Sequence, residues 1–311
     1  MTTVDKFASN AHSHLKVRVG SAGIHFFNRI TGMNLLVDEI QLPSSKWSVA
    51  PRQVSIALTN ACDLACAHCY APKHPAVLDF EQLKAWLVAL DLNGCIGVGF
   101  GGGEPTLYPH FTELCSYTAK KTGLAVSMTT HAHHLSDQLL EKIEGNVHFI
   151  RVSMDGVKST YESIRGKSFD VLTQRIKALS KIAPFGINFV VNSQTITDLD
   201  KAIELAMELE CSEFLLLPEE AVSGAGGIDN DTYRLLQEWV AQYCGSVPLT
   251  VSEGNADGLP TCNPLDAEMG LSAFAHIDAS GMLKLTSYDN SGVEILEDGV
   301  IPALHKLSRQ G

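Results

Sequence analysis

The chain has 311 residues and a formal net charge of −12, with 19% charged and 45% hydrophobic residues. This length suits one large α/β domain with extensions, and the composition is typical of a globular enzyme rather than a disordered or fibrous protein. No apolar run approaches the roughly 20 residues that span a bilayer, and the polar N-terminus lacks a signal-peptide pattern. These features argue against a membrane partner, and an acidic chain without a Lys/Arg cluster argues against nucleic acid. We expect a cytoplasmic protein, in which closely spaced cysteines serve metal or redox roles rather than disulfides.

The first 50 residues are expected to form a β-hairpin extension. Alternating apolar residues between Leu15 and Ile40, punctuated by Gly20 and Gly23, are typical of paired strands. We assign residues 51–222 to a core domain and residues 223–311 to a C-terminal α+β extension.

The core alternates short β-branched runs with segments of helical periodicity. The predicted strands are Val54–Thr59, Ile96–Phe100, Ala125–Thr130, Phe149–Met154, Ile187–Val191 and Phe214–Leu217. Six successive βα units predict a parallel sheet with helices outside. They fit an open, partial (β/α)6 TIM-like barrel, because a complete (β/α)8 barrel usually needs about 250 residues. In such folds the functional residues gather at the C-terminal ends of the strands.

Three cysteines follow the first of these strands. Cys62, Cys66 and Cys69 form a Cx3Cx2C pattern on one loop. Three thiolates can hold three irons of a cubane cluster and leave the fourth iron open, whereas zinc needs a fourth ligand such as His68 or His74. The pattern favours iron–sulfur over zinc. The other cysteines are scattered singly and are expected to be free, mostly buried thiols: Cys95, Cys115, Cys211, Cys244 and Cys262.

The cysteine segment resembles the signature of the radical S-adenosylmethionine (SAM) superfamily, in the form found in its SPASM/Twitch-related branch. The resemblance implies one [4Fe–4S] cluster on the three cysteines, with its open iron chelated by SAM. It further implies that electron transfer splits SAM into methionine and a 5′-deoxyadenosyl radical, which abstracts a substrate hydrogen. His68, where relatives often have an aromatic residue, and Tyr70 then lie beside the cofactor.

Other strand ends carry groups that match the same family. Glycines permit close backbone approach, and arginine pairs well with a carboxylate. In relatives a Gly-Gly-Glu-Pro stretch binds the SAM amino group, and an arginine lies near the SAM carboxylate. The resemblance therefore implies SAM contacts from Gly102, Gly103, Glu104, Pro105, Ser153, Asp155, Arg165, Asn192 and Leu217, with Leu216 as a further candidate beside the adenine. Several of these residues also have an ordinary explanation when they are considered alone. The glycines would fit a plain turn, Arg165 a solvated surface arginine, and the leucines core packing.

Three residues are candidates to face the substrate. His131 follows the third strand, and Glu219 and Glu220 follow the sixth, where they can hold a cationic group. The neighbouring His133 and His134 invite a metal-binding interpretation, but clustered loop histidines without a nearby cysteine or carboxylate are more often solvated or helix-capping residues.

The resemblance thins after Leu217. Ala275–Asp278 and Met282–Leu285 predict a small hairpin that looks like part of a SPASM domain. Thr286 and Ser287 stand where that domain would place a ligand cysteine. Cys262, joined at most by Cys244 or Cys211, would supply too few thiolate ligands for a second cluster. We therefore expect a reduced, cysteine-poor extension.

The leading hypothesis is a radical SAM enzyme, and the SPASM-related branch favours a peptide substrate, as in maturation of ribosomally made peptides. A small metabolite is the alternative within this class, because we expect no leader-binding winged helix before Val54. A non-catalytic iron–sulfur or zinc protein is the alternative of another class, which the presence of Glu104, Ser153, Arg165 and Asn192 disfavours. The expected partners are the substrate and an electron donor such as flavodoxin or ferredoxin.

Overall fold

The computed structural model describes residues 14–221, 226–251, 258–259, 265 and 267–310. An N-terminal antiparallel sheet has the order β1-β2-β3, with strands Leu15–Gly20, Gly23–Asn28 and Asn34–Val37. The predicted hairpin is confirmed, and the third strand is an addition to it. Gly23, the first residue of β2, has a φ of +120°, and a Cβ there would lie 2.3 Å from the Val37 carbonyl oxygen.

Among the described residues the main sheet has ten strands, numbered β4 to β13 along the chain and ordered β10-β9-β8-β7-β6-β5-β4-β11-β12-β13 in space. Strands β4 to β11 run parallel to their neighbours, whereas β12 and β13 are antiparallel. The strands are Gln53–Thr59, Gly97–Gly102, Ala125–Thr130, Phe149–Ser153, Phe185–Val191, Glu213–Pro218, Leu249–Val251, Phe274–Ile277, Met282–Lys284 and Val293–Glu294. All six predicted core strands are confirmed. The described residues show no pairing between the two end strands, so the predicted open barrel is confirmed.

Eight α-helices occur in the described part of the chain. In order, α1 to α8 are Phe80–Leu92, Phe111–Lys121, Asp137–Ile143, Ser159–Arg165, Phe169–Leu179, Leu199–Glu208, Asn230–Gln242 and Val300–Leu307. Asp79, Ser136, Ser168 and Asp229 are N-caps whose side chains accept a backbone N–H from the first turn of α1, α3, α5 and α7. None of these helices is both long and apolar enough to cross a membrane.

Strand alternation separates a helix-facing core from the concave face of the sheet. On β4, Val54, Ile56 and Leu58 are fully buried in the hydrophobic core. The intervening Ser55 is paired in register with Gly99 on β5, which is paired with Ser127 on β6. Because successive side chains point to opposite faces, small residues line the concave side and leave space there.

The C-terminal extension continues the same sheet rather than standing apart from it. Strand β11 pairs parallel with β4, with Ala275 opposite Val54, and β12 returns antiparallel to complete the predicted hairpin. Helix α8, which we did not predict, contacts β12, β13 and α1. Thus the hairpin is built directly onto β4, the strand that precedes the cysteine loop. Cys262 lies outside the described residues.

Candidate functional site

The cysteine loop begins where β4 ends and is closed at its base by backbone hydrogen bonds. Asn60 donates to the Ala76 carbonyl over 3.0 Å, and Leu78 donates to the Leu58 carbonyl over 3.0 Å. Within the loop, the Cys69 N–H donates to the Cys66 carbonyl over 3.2 Å. The loop is therefore held against the strand at both ends, and it carries all three cysteines.

Space for a bound group adjoins these thiols. An open cavity of about 530 Å³ is lined by Cys62, Cys69 and Gly103, with Lys73 and His74 on its outer wall. Cys66 is buried, whereas the other two cysteines are half-buried. Burial raises the pKa of the Cys62 and Cys66 thiols, so a bound cation is needed to favour their thiolate forms.

The glycine-rich end of β5 lies directly against this loop. Gly103 donates to the Thr59 carbonyl over 2.7 Å, and Glu104 donates to the Ala61 carbonyl over 2.8 Å. A Cβ on Gly103 would stand 2.2 Å from the Ala61 oxygen, and one on Gly102 would stand 2.3 Å from the Thr59 oxygen. Only glycine permits this approach. The two motifs that the sequence singled out are thus joined at one edge of the barrel.

Glu104 is fully buried, and its carboxylate faces neighbouring residues of the fold. One oxygen accepts the Thr106 hydroxyl at 2.7 Å and the Thr130 hydroxyl at 2.8 Å. The other accepts the backbone N–H of His131 at 3.0 Å. The Glu104 side chain therefore links the ends of β5 and β6, while Gly103 borders the cavity.

His131 lies in the same wall and is only 4% exposed. Its Nε2 is 3.0 Å from Asp63 Oδ1, and Asp63 also accepts from His134 at 3.0 Å and from Lys167 at 2.9 Å. Burial alone would raise the pKa of Asp63, but hydrogen bonds from Lys167 and His134 outweigh it and hold the pKa well below its usual range. The third neighbouring histidine, His133, contacts the Tyr161 hydroxyl at 2.8 Å.

Asp155 forms a second buried charge centre at the end of β7. It accepts from Arg165 Nε at 2.8 Å and from the Val190 backbone N–H at 2.9 Å, and it lies 3.1 Å from His68 Nε2. Burial would raise its pKa, but the charge of Arg165 and the hydrogen bond from His68 lower it to about 2. Arg165 also lowers the pKa of the Cys66 thiol against the effect of burial, so this cation lies near the cysteine loop.

The remaining sequence-predicted residues lie at neighbouring strand ends. Asn192 donates to Glu219 over 2.7 Å, which links the ends of β8 and β9. Ser153 and Leu217 are half-buried, whereas Leu216 is fully buried in the helix-facing core. Pro105 is buried in the turn that follows β5.

The C-terminal extension also reaches this site, which sequence reasoning missed. The rings of Tyr70 and Tyr288 lie 4.8 Å apart, and the Tyr70 hydroxyl shares a hydrogen bond with Ser287. Burial, together with the nearby Tyr70 and Glu220, raises the pKa of the Tyr288 phenol. No local pattern marks Tyr288, because its neighbours in space are far away in the sequence.

The residues fit an iron–sulfur cluster better than zinc. Three soft donors share one turn beside a cavity, and His68, the nearer candidate for a fourth zinc ligand, is directed to Asp155. His74 is exposed on the cavity wall. Cys95, Cys115 and Cys211 are buried and Cys244 is exposed, each without a second described cysteine bonded to it.

Comparison with known proteins decides the family. Residues 56–206 match the model of the radical SAM superfamily. This segment of the chain belongs to the radical SAM superfamily. Members use a [4Fe–4S] cluster and SAM, and the matched segment contains the three loop cysteines, the Gly-Gly-Glu-Pro turn and Arg165.

Sequence relatives cover part of this radical SAM chain. Mycofactocin maturase MftC of Mycolicibacterium smegmatis is 31% identical over 166 residues, which are 50% of this chain and 42% of that protein. Fe-coproporphyrin III synthase of Methanosarcina barkeri is 28% identical over 159 residues, covering 49% and 40% of the two chains. The match thus spans less than half the length of either relative.

Solved structures agree with the fold over most of the chain. SuiB of Streptococcus suis, in a crystal structure bound to its precursor peptide SuiA, superposes with a TM-score of 0.73 at 13% identity. The superposition covers 94% of this chain and 87% of that chain. At this identity the likeness shows the partial-barrel fold alone.

Proposed function

We propose that this radical SAM protein holds one [4Fe–4S] cluster on Cys62, Cys66 and Cys69 and uses SAM to abstract a hydrogen atom from a peptide. The bound cluster would supply the electron that splits SAM into methionine and a 5′-deoxyadenosyl radical, which leaves as 5′-deoxyadenosine after taking a substrate hydrogen. The observation that carries the proposal is the pair of backbone hydrogen bonds, 2.7 Å and 2.8 Å, between the Gly-Gly-Glu turn and the cysteine loop.

The chain's own residues would bind and orient SAM at the strand ends. The backbone of Gly103 borders the cavity, and carbonyl oxygens of this turn can accept hydrogen bonds from an ammonium group. Arg165 is held by Asp155, which also contacts His68 of the cysteine loop, and it offers a fixed positive charge for the SAM carboxylate. Ser153 and Asn192 would contact the ribose, and Leu217 the adenine, from the half-buried ends of β7, β8 and β9.

A peptide is the preferred substrate. Mycofactocin maturase MftC is similar in sequence, and the structurally similar SuiB was crystallised with a precursor peptide. Glu219 and Glu220 follow β9, Glu219 paired with Asn192 and Glu220 near Tyr288, and they would meet a cationic group of the substrate at the barrel mouth. A flavodoxin or ferredoxin would supply the electron, in the reducing cytoplasm that an oxygen-sensitive cluster requires.

A small metabolite is the second candidate, and a particular observation favours it. AdoMet-dependent heme synthase of Methanosarcina barkeri is 28% identical over 202 residues, which cover 61% of this chain. That match is longer than the match to the mycofactocin maturase. The same cluster-binding and SAM-binding residues would serve either substrate. The residues at the barrel mouth would therefore determine which class of substrate binds.

Anaerobic reconstitution tests the chemistry. With iron, sulfide, dithionite and SAM, we expect a brown protein that forms 5′-deoxyadenosine, detected by mass spectrometry. Cys66→Ala should lose both the colour and the product, with Cys115→Ala as the matched control, since Cys115 is a buried thiol on α2. Iron content that survives in Cys66→Ala would overturn the ligand assignment.

The substrate class needs its own measurement. Short peptides encoded beside the gene would be incubated with the reduced enzyme and SAM, in parallel with coproporphyrin. A mass change in one peptide, with deuterium transferred from labelled peptide to 5′-deoxyadenosine, supports peptide maturation. Turnover of the porphyrin alone would favour the metabolite.

A further inference from the structure

We propose that His131 is a positioning residue that ties the cysteine loop to the Gly-Gly-Glu-Pro turn through one imidazole. The inference rests on the function proposed above and assigns a role within the same site. Asp63 follows the first cysteine directly, and Glu104 belongs to the glycine-rich turn. His131 contacts both carboxylates, although it belongs to neither segment.

The hydrogen bonds of His131 define the tautomer of its imidazole. Nδ1 accepts the backbone N–H of His133 at 3.2 Å, so in the neutral ring the hydrogen is on Nε2. That Nε2–H points to Asp63 Oδ1 at 3.0 Å and lies 3.3 Å from Glu104 Oε2. The two carboxylates therefore converge on a single donor, which is almost completely buried.

The backbone of His131 strengthens one side of this link. Its N–H donates to Glu104 Oε2 over 3.0 Å, while the preceding Thr130 hydroxyl donates to Oε1 over 2.8 Å. The end of β6 is thereby fixed to the turn after β5 whatever side chain stands at 131. The imidazole adds the other half, because its Nε2 contacts Asp63 and Glu104 at the same time.

The other partners of Asp63 do not replace this link. His134 and Lys167 both contact Asp63, but their side chains are 37% and 36% exposed. Neither has a contact with Glu104 among the described residues. Surface pairs of this kind contribute little to positioning, because solvent screens them and the side chains are free to move.

A consequence for SAM follows from this geometry. The cysteines would bind one side of the cofactor site and the glycine turn would bind the SAM amino group on the other. Residues that orient ligands from behind typically change affinity or activity by about 10- to 100-fold when they are lost. We therefore expect the imidazole to set SAM affinity, with iron binding left to the three cysteines.

The test compares donor geometry at position 131. His131→Gln keeps an N–H at about the distance of Nε2, His131→Asn is too short to reach Asp63, and His131→Leu removes the donor. His133→Leu, on the same loop, is the matched control, because His133 Nε2 contacts Tyr161 rather than either carboxylate. The measurements on reconstituted protein are iron content, SAM affinity by equilibrium dialysis, and the change that SAM causes in the electron paramagnetic resonance spectrum.

We expect His131→Leu and His131→Asn to bind SAM about 10-fold or more weakly with unchanged iron content, and to lose the spectral change. His131→Gln and His133→Leu should stay within about threefold of the wild type. Should His131→Leu fold poorly, the polar pair of Asn and Gln variants makes the same comparison. Wild-type SAM affinity in His131→Asn, or equal losses in the Asn and Gln variants, would overturn the role of the Nε2–H. If the wild type itself neither bound nor cleaved SAM, the proposed function would fail instead.

Discussion

Arg165 Nε lies 2.8 Å from Asp155 Oδ2, and this ion pair is buried at the end of β7. The carboxylate is 1% exposed and the guanidinium side chain is 12% exposed. The pair fixes an arginine beside the cysteine loop before any ligand arrives. The ion pair therefore has a structural role, in addition to the role proposed for Arg165 in binding the SAM carboxylate.

Asp155→Asn tests the structural role. Breaking a buried ion pair leaves an uncompensated charge, which costs about 3–5 kcal/mol. We expect the free energy of unfolding of the protein without cofactors, measured in urea, to fall by that order. Adding Arg165→Met to Asp155→Asn should recover part of the loss, and a double variant no more stable than the single one would contradict this explanation.

Gly103→Ala tests the contact between the glycine turn and the cysteine loop. The new Cβ would meet the Ala61 carbonyl at 2.2 Å, so the backbone must shift, at a cost of about 1–3 kcal/mol. We expect a lower thermal midpoint in the cofactor-free protein. Gly101→Ala is the matched control, because a Cβ there meets nothing within 4 Å. Equal midpoints for the two variants would show that the close approach is not maintained in solution.

Much of this site was predictable because its chemistry is local in sequence. The cysteine spacing, the Gly-Gly-Glu-Pro turn and the strand periodicity each lie within a few residues, and parallel βα topology brings strand ends to one edge. The role of His131 was not predictable, because it depends on Asp63 and Glu104 at distances of 68 and 27 residues along the chain. The contact of Tyr288 with Tyr70 was not predictable for the same reason, because it depends on the pairing of β11 with β4.

Arg29 anchors the N-terminal sheet to the barrel. Its guanidinium is buried and donates to the carbonyls of Ala119, Thr122 and Leu124 at 2.8–2.9 Å, around the C-terminus of α2. Arg29→Met would leave these acceptors unsatisfied, at about 1–3 kcal/mol for each buried group. We expect a loss of at least about 2 kcal/mol in urea unfolding. Arg234→Met, which breaks an exposed pair with Glu238, should change stability by less than about 0.5 kcal/mol.

His276 on β11 makes stability fall in acid. Burial lowers its pKa to about 4, with Asp278 and Asp289 opposing and Lys284 adding to the effect. Above pH 6.5 the imidazole is neutral in both the folded and the unfolded chain, so it does not change the unfolding free energy. Between pH 6.5 and 4 only the unfolded chain takes up the proton. The unfolding free energy should therefore decrease as the pH falls through this window, by up to about 1.4 kcal/mol per pH unit.

His276→Gln isolates that contribution. The variant should show a shallower decrease between pH 6.5 and 4.5 than the wild type, measured by urea unfolding of the cofactor-free protein. His305→Gln, on α8, is the control, because that histidine is exposed to solvent and the slope of the variant should match the wild type. Parallel slopes for the wild type and His276→Gln would contradict a buried neutral imidazole.

The most direct measurement of the central claim is 5′-deoxyadenosine formed per reconstituted protein after reduction in the presence of SAM. The proposed function predicts product in the wild type, none in Cys66→Ala, and wild-type levels in Cys115→Ala. A wild type that carries iron and sulfide but forms no product, while a known radical SAM enzyme does so in the same assay, would contradict it.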